Sequence, residues 1–170
     1  MTRALLALGA ALLMTACQPT EKMRQQWAAA QQSAEAQLVM AGERWGQRHA
    51  AADWEGLREL YTDDAVLMPN GQPKIEGADN IVAFLRRVPD AGGTTRIIFQ
   101  NEEVHVDMLG GYPDRGIVTA KYLMTITMPE TAPVQIAGRA LLVYRWEGGA
   151  WKLWRDMDNS APDVRIEDLQ

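Results

Sequence analysis

Four stretches in the second half of the chain alternate apolar and polar residues with period two, and this alternation most constrains the fold. They run at roughly 95–108, 116–128, 133–147 and 150–159, separated by the turn sequences GGYPD, MPETAP and EGGA. Successive side chains of an extended strand point to opposite sides, so each stretch has one face to bury and one to leave in water. In the second stretch Val118, Ala120, Tyr122, Met124, Ile126 and Met128 share a face. In the third, Val134, Ile136, Ala140, Leu142, Tyr144 and Trp146 oppose Gln135, Arg139 and Arg145. Short Gly- or Pro-containing turns between consecutive strands make the pairing antiparallel.

The first half follows a helical period instead. Leu38, Ala41, Trp45 and Ala52 fall on one stripe, which His49 joins. Asp53 suits the cap of a second helix, WEGLRELY, whose inner face would be Trp54, Leu57, Leu60 and Tyr61. A strand at Ala65 to Met68 closes on the turn Pro69-Asn70-Gly71. A third helix follows Gly77 with Ile81, Phe84, Leu85 and Val88 on one face, stopped by Pro89. Helices first and strands after predict an α+β domain, with an antiparallel sheet packed against three N-terminal helices. At 170 residues there is room for one such domain. Between the second helix and the strand, LYTDDAVLMPNG sets Asp63 beside Asp64. Adjacent residues there point to opposite sides, so turn and capping roles fit them better than a shared proton.

The N-terminus reads as a targeting segment. MTRALLALGAALLMTA carries one early Arg3 and an apolar run too short to cross a bilayer, ending directly before Cys17, the only cysteine. Met14-Thr15-Ala16-Cys17 resembles a bacterial lipobox, with Met where Leu is usual. The resemblance implies cleavage after Ala16, acylation of Cys17, and membrane attachment through that lipid. The alternative is a plain secretory signal with an incidental cysteine. Gln18 after the cysteine favours the periplasmic side of the outer membrane. The expected organisation is a signal peptide at 1–16, a lipidated Ala/Gln-rich tether at 17–33, the domain at 34–160 and a tail at 161–170. An acylated Cys17 leaves no thiol for a disulfide or for cysteine chemistry. The net charge of −5, without any Lys/Arg cluster, excludes a nucleic-acid surface as partner.

ADWEGLRELYTDDAVLMPNG, then IEGADNIVAFL, then YRWEGGAWKLWRDMDNS, together resemble the SnoaL-like members of the nuclear-transport-factor-2-like superfamily over about residues 34 to 160. The resemblance implies a strongly curved sheet wrapped on helices as a cone with a pocket at its open end, and homodimers are common in that superfamily. Isomerases, dehydratases, hydrolases, cyclases and non-catalytic binding modules share this fold, so the pocket residues must decide.

Ketosteroid isomerase, the handiest catalytic template in the superfamily, uses an Asp base and an oxyanion hole of a Tyr and a protonated Asp. Placed on the shared frame, its base falls at or beside Met68 and Pro69, its Tyr at Trp45 and its second Asp near Arg139. Its chemistry is therefore not expected here. In their place Trp45, Tyr61, Met68 and Trp154 would line an apolar pocket, with Arg139 as an anion holder or, alternatively, in a salt bridge on the sheet. Six Trp against two Phe suit such a lining. Asp156 and Asp158 would share a face with Trp154, with Arg155 and Asn159 pointing the other way. Asp156 is a candidate base, or else a partner for an arginine; His105, two residues from Asp107, is a second candidate base, or else a solvated side chain. No third ligand accompanies that pair, so no metal is expected, and no cofactor motif appears. The expected function is binding of a small hydrophobic or amphipathic molecule, with an anionic group as an option that Arg139 would hold. Lyase, isomerase, cyclase or hydrolase action on such a molecule is the alternative, and an envelope-assembly or dimeric structural role the third.

Overall fold

The computed structural model describes residues 19–169; Cys17 and the expected signal peptide lie outside the described residues. Helix α1 (Glu21–Ala50) starts where the Thr20 side chain accepts a hydrogen bond from the Met23 amide at 3.3 Å. Its buried residues, Ala34, Leu38, Ala41, Trp45 and His49, recur every three or four positions and form one stripe. The helix begins well before Leu38: the Ala/Gln-rich tether stretch holds nothing that breaks a helix and runs continuously into it. Asp53 then caps α2 (Trp54–Arg58), accepting from the Gly56 amide at 3.0 Å, and its carboxylate also pairs with Arg48.

Strand β1 (Tyr61–Met68) takes Tyr61 out of the expected second helix. Next come β2 (Ile75–Glu76), α3 (Ala78–Leu85) and α4 (Arg87–Asp90). The third helix thus ends earlier than expected and a further turn follows, with Pro89 in its first turn, where a missing amide proton costs nothing. The long strands are β3 (Thr94–Leu109), β4 (Tyr112–Thr127), β5 (Val134–Glu147) and β6 (Ala150–Ser160). Gly110–Gly111 and Gly148–Gly149 join two of these pairs, all four at positive φ, the geometry of tight hairpin turns.

The six strands lie in the order β2-β1-β6-β5-β4-β3 in one curved, unclosed sheet. It is mixed rather than purely antiparallel, since β1 runs parallel to β6. The long intervening chain makes that crossover possible; a hairpin could not. Helix α1 crosses the concave side, where Gln31 donates to the Val106 carbonyl at 2.7 Å and the Trp151 indole to the Ala34 carbonyl at 3.2 Å. The core gathers there around Leu57, Ile81, Tyr61 and Trp151. On the convex side Ala161, Val164 and Leu169 bury themselves with Leu123, so the C-terminal tail docks on the sheet.

Asp63 and Asp64 sit inside β1, where the register with β6 shifts between Tyr61 and Val66. That irregularity exposes both, against the expectation of opposite sides. Asp63 pairs with Arg58 at 2.8 Å, and Asp64 with Arg145 at 3.0 Å.

Candidate active-site cavity

Strand β6 carries the polar chemistry of the cone. Asp156 is level with Leu142 on β5 and Leu67 on β1, and Asp158 with Ala140, so both carboxyls face the concave side. Just before them the register slips: Tyr144 pairs with Leu153 but Val143 with Arg155, leaving Trp154 as an extra residue. Two residues of β6 then oppose one of β5, which turns both Trp154 and Arg155 outward. The expectation that Trp154 shares a face with Asp156 is corrected by this bulge.

Two adjoining pockets, called here the lobes of the cone, have volumes of about 260 Å³ and about 430 Å³. Trp45, Ile97, Phe99 and Asp156 border both. The Trp45 indole donates to the Tyr61 hydroxyl at 2.8 Å, which fixes the ring. His49 stacks on Trp45 with centroids 5.1 Å apart, and Phe99 meets the same ring edge-on at 5.9 Å. The His49 Nε2 is buried without a hydrogen-bond partner, and burial lowers its pKa, so the ring is neutral.

Asp156 is half-buried on the lining of both lobes, and no side chain or amide among the described residues donates to it. Burial, then the nearby Asp158 carboxylate, raises its pKa from the ordinary 3.8 to about 7. Asp158 is raised by burial too, though the Asn70 amide, 2.6 Å from its Oδ1, opposes the shift. The same two carboxylates, after burial, push the Tyr122 hydroxyl up to about 12. Tyr144 is also raised, by burial and then Asp156, and stays a hydrogen-bond donor. A carboxyl poised near 7 populates acid and base forms together at neutral pH, which suits it to give or take a proton.

Other candidate residues fall elsewhere. Tyr61 is buried behind Trp45 rather than on the wall. Met68 pairs with Met157 on the convex side of the β1–β6 seam. Trp154 lies outside, with the guanidinium groups of Arg145 and Arg155 at 3.8 and 3.9 Å from its ring and its indole donating to Asp64 at 3.0 Å. Arg139 is corrected as well: it points outward and bonds Glu102 at 2.8 Å and Asp163 at 2.7 Å, not Asp156 and not a cavity ligand. His105 pairs with Asp107 at 3.0 Å on the exposed face and reaches no cavity, so it cannot act as base there. Of the residues expected as catalytic or ligand-binding, only Trp45 and Asp156 line the cavity; Asp158 and His49 line its larger lobe as well. Tyr122 and Tyr144 could have been added from the strand alternation; Phe84 and Leu85 were readable only as the inner face of a helix, and Arg87, which walls the larger lobe with them, carries no signal.

Among the described residues the only cation on the lining is Arg87, exposed beside the larger lobe with its guanidinium 5.1 Å from the Phe84 ring. The interior is thus apolar and acidic, the reverse of the expected anion holder. No group of His, Cys, Asp and Glu among the described residues is arranged to hold a metal ion.

The family model of the SnoaL-like domain matches residues 30–155. The chain belongs to the SnoaL-like family. Solved structures agree on the fold. A conserved protein from Planctomyces limnophilus is 20% identical and superposes with a TM-score of 0.67, covering 77% of this chain and 98% of its own. A ketosteroid isomerase-like protein from Erwinia carotovora is 24% identical, TM-score 0.61, covering 75% and 97%. A proposed dehydratase of the NTF2-like family from Streptomyces avermitilis is 20% identical, TM-score 0.61, covering 76% and 97%. No curated protein sequence matches this SnoaL-like chain.

Proposed function

We propose that the protein takes a small, largely apolar, uncharged molecule into the cone and that Asp156 transfers a proton on it, in lyase or isomerase chemistry. One observation carries this reading: Asp156 is a cavity carboxyl with no hydrogen-bond partner in an aromatic surround that raises its pKa to about 7. Such a group costs stability and contributes no fold contact, which points to a task. The isomerase-like and dehydratase-like neighbours are consistent with proton transfer. In this scheme ionised Asp156 takes a proton from carbon or hydroxyl, and the Tyr144 or Tyr122 hydroxyl donates to developing negative charge.

Non-catalytic binding is the second reading, and it too has an observation behind it: nothing orients the Asp156 carboxyl, whereas a base is usually held by a neighbour. The anchoring at Cys17 and periplasmic location belong to the same proposal, as does pairing of two copies over the exposed register partners Leu141 and Met157. Mass analysis of the mature N-terminus tests the lipid, and light scattering the pairing.

Native mass spectrometry of the protein purified from its own envelope, with the released ligand resolved from its isomers by chromatography, separates the two readings. A proton-transfer enzyme predicts that Asp156→Asn retains a different molecule from wild type, shifted by one water for a lyase. The same molecule in both would support plain binding. An empty cone in both would defeat the proposal.

A further inference from the structure

The cone's two lobes bear on what shape of molecule fits. The smaller lies between α1 and the sheet, walled by Leu38, Val39, Val118, Leu142 and Leu153, with Gly42 and Gly46 as its helix floor. The larger lies against α3 and α4, walled by Leu67, Phe84, Leu85, Met124, Ile126 and Ile136. Of the four residues common to both, Asp156 is the only ionisable one. The Tyr144 hydroxyl serves the smaller lobe, and Tyr122 with Asp158 the larger.

Resting on the reading above, we propose that the ligand is a two-armed molecule: two apolar arms fill the two lobes, and a hydrogen-bonding group in its middle meets Asp156. A molecule with its polar group at one end cannot satisfy both demands. If that group reaches Asp156, the rest fits one lobe and the other apolar lobe goes unfilled, forfeiting its contacts. If the tail spans both lobes, it lies across Asp156 and the carboxyl is desolvated without a partner. Only a central carbonyl, hydroxyl or amine lets the apolar walls and the carboxyl be satisfied together.

Two ketones of equal carbon count, dipentyl ketone and methyl nonyl ketone, serve as probes. Each is titrated into the full-length chain at pH 6, following the NMR shift of the Trp45 indole, which borders both lobes. Protonated Asp156 can donate to the central carbonyl there, so dipentyl ketone should bind about tenfold more tightly, the worth of one hydrogen bond. The preference should shrink at pH 8, where the ionised carboxyl no longer donates. Gly46→Leu blocks the smaller lobe selectively. A Cβ at Gly46 meets nothing within 4 Å, and leucine is the better helix former, so the variant should fold. It should abolish the preference for dipentyl ketone. Equal binding of both ketones, unchanged by Gly46→Leu, would overturn the two-armed ligand while leaving the cone a binding site. Failure of both ketones to move Trp45 would overturn the binding proposal itself, and this inference with it.

Discussion

At the scale of single residues the account turns on Asp156, and its stability consequence has a definite sign. Unfolded, this carboxyl ionises near the ordinary 3.8; folded, near 7. Between those values the native state holds the extra proton, so stability falls as pH rises from about 4 to 7 and the penalty is complete above that window. Its full size is about 4 kcal/mol, the shift converted at about 1.4 kcal/mol per unit. His49 runs the opposite way: its pKa is lowered by burial, so stability is lost as pH falls below about 6.5. Asp156→Asn isolates the carboxyl from this background. Denaturant titrations should find the variant more stable than wild type at pH 8, by as much as about 4 kcal/mol, and nearly equal to it at pH 4. Equal stabilities at both pH values would mean the carboxyl is not buried as described. Asp156 was legible from the alternation of the last strand. For Arg139 the odd strand position made the outward alternative legible, but not its partners Glu102 and Asp163, which lie 37 and 24 residues away in sequence.

Elements succeeded in the sequence where a pattern repeats and failed where one residue breaks it. The period-two runs of β3 to β6 and the stripe of α1 were readable because many side chains vote for one phase. The extra residue at Trp154 was invisible to that count, because a bulge inverts the phase while leaving the composition unchanged. The same cause hid the exposure of Asp63 and Asp64. The parallel β1–β6 pair was unreadable for another reason, since pairing partners distant in sequence leave no local mark. Two glycines give an element-scale test. A Cβ at Gly138 on β5 would lie 2.1 Å from the Asn159 carbonyl oxygen of β6, so Gly138→Ala must push the two strands apart and should cost about 1–3 kcal/mol. Gly46 in α1 faces open space, so Gly46→Ala should stabilise by up to about 1 kcal/mol. Thermal unfolding of the pair should give opposite shifts; a destabilising Gly46→Ala would mean that α1 packs more tightly there than described.

As a whole, the molecule is a SnoaL-like cone that keeps its polar chemistry on the inside of one strand and its ion pairs on the outside of the sheet. Family and fold were legible from the order of three motifs, because they record a whole topology. The content of the cone was legible only in part, because its walls come from α1, β3 to β6 and the α3–α4 segment at once. An apolar, acidic interior replaces the expected anion site, and that inversion rests on the state of one carboxyl. Carbon-13 NMR of the Asp156 side-chain carboxyl, titrated across pH 3 to 9, measures that state directly. The account predicts a midpoint of about 7, moved little by salt because the group lies inside the cone rather than on the charged outer face. A midpoint near the ordinary 3.8 would contradict it, and with it the proton-transfer role.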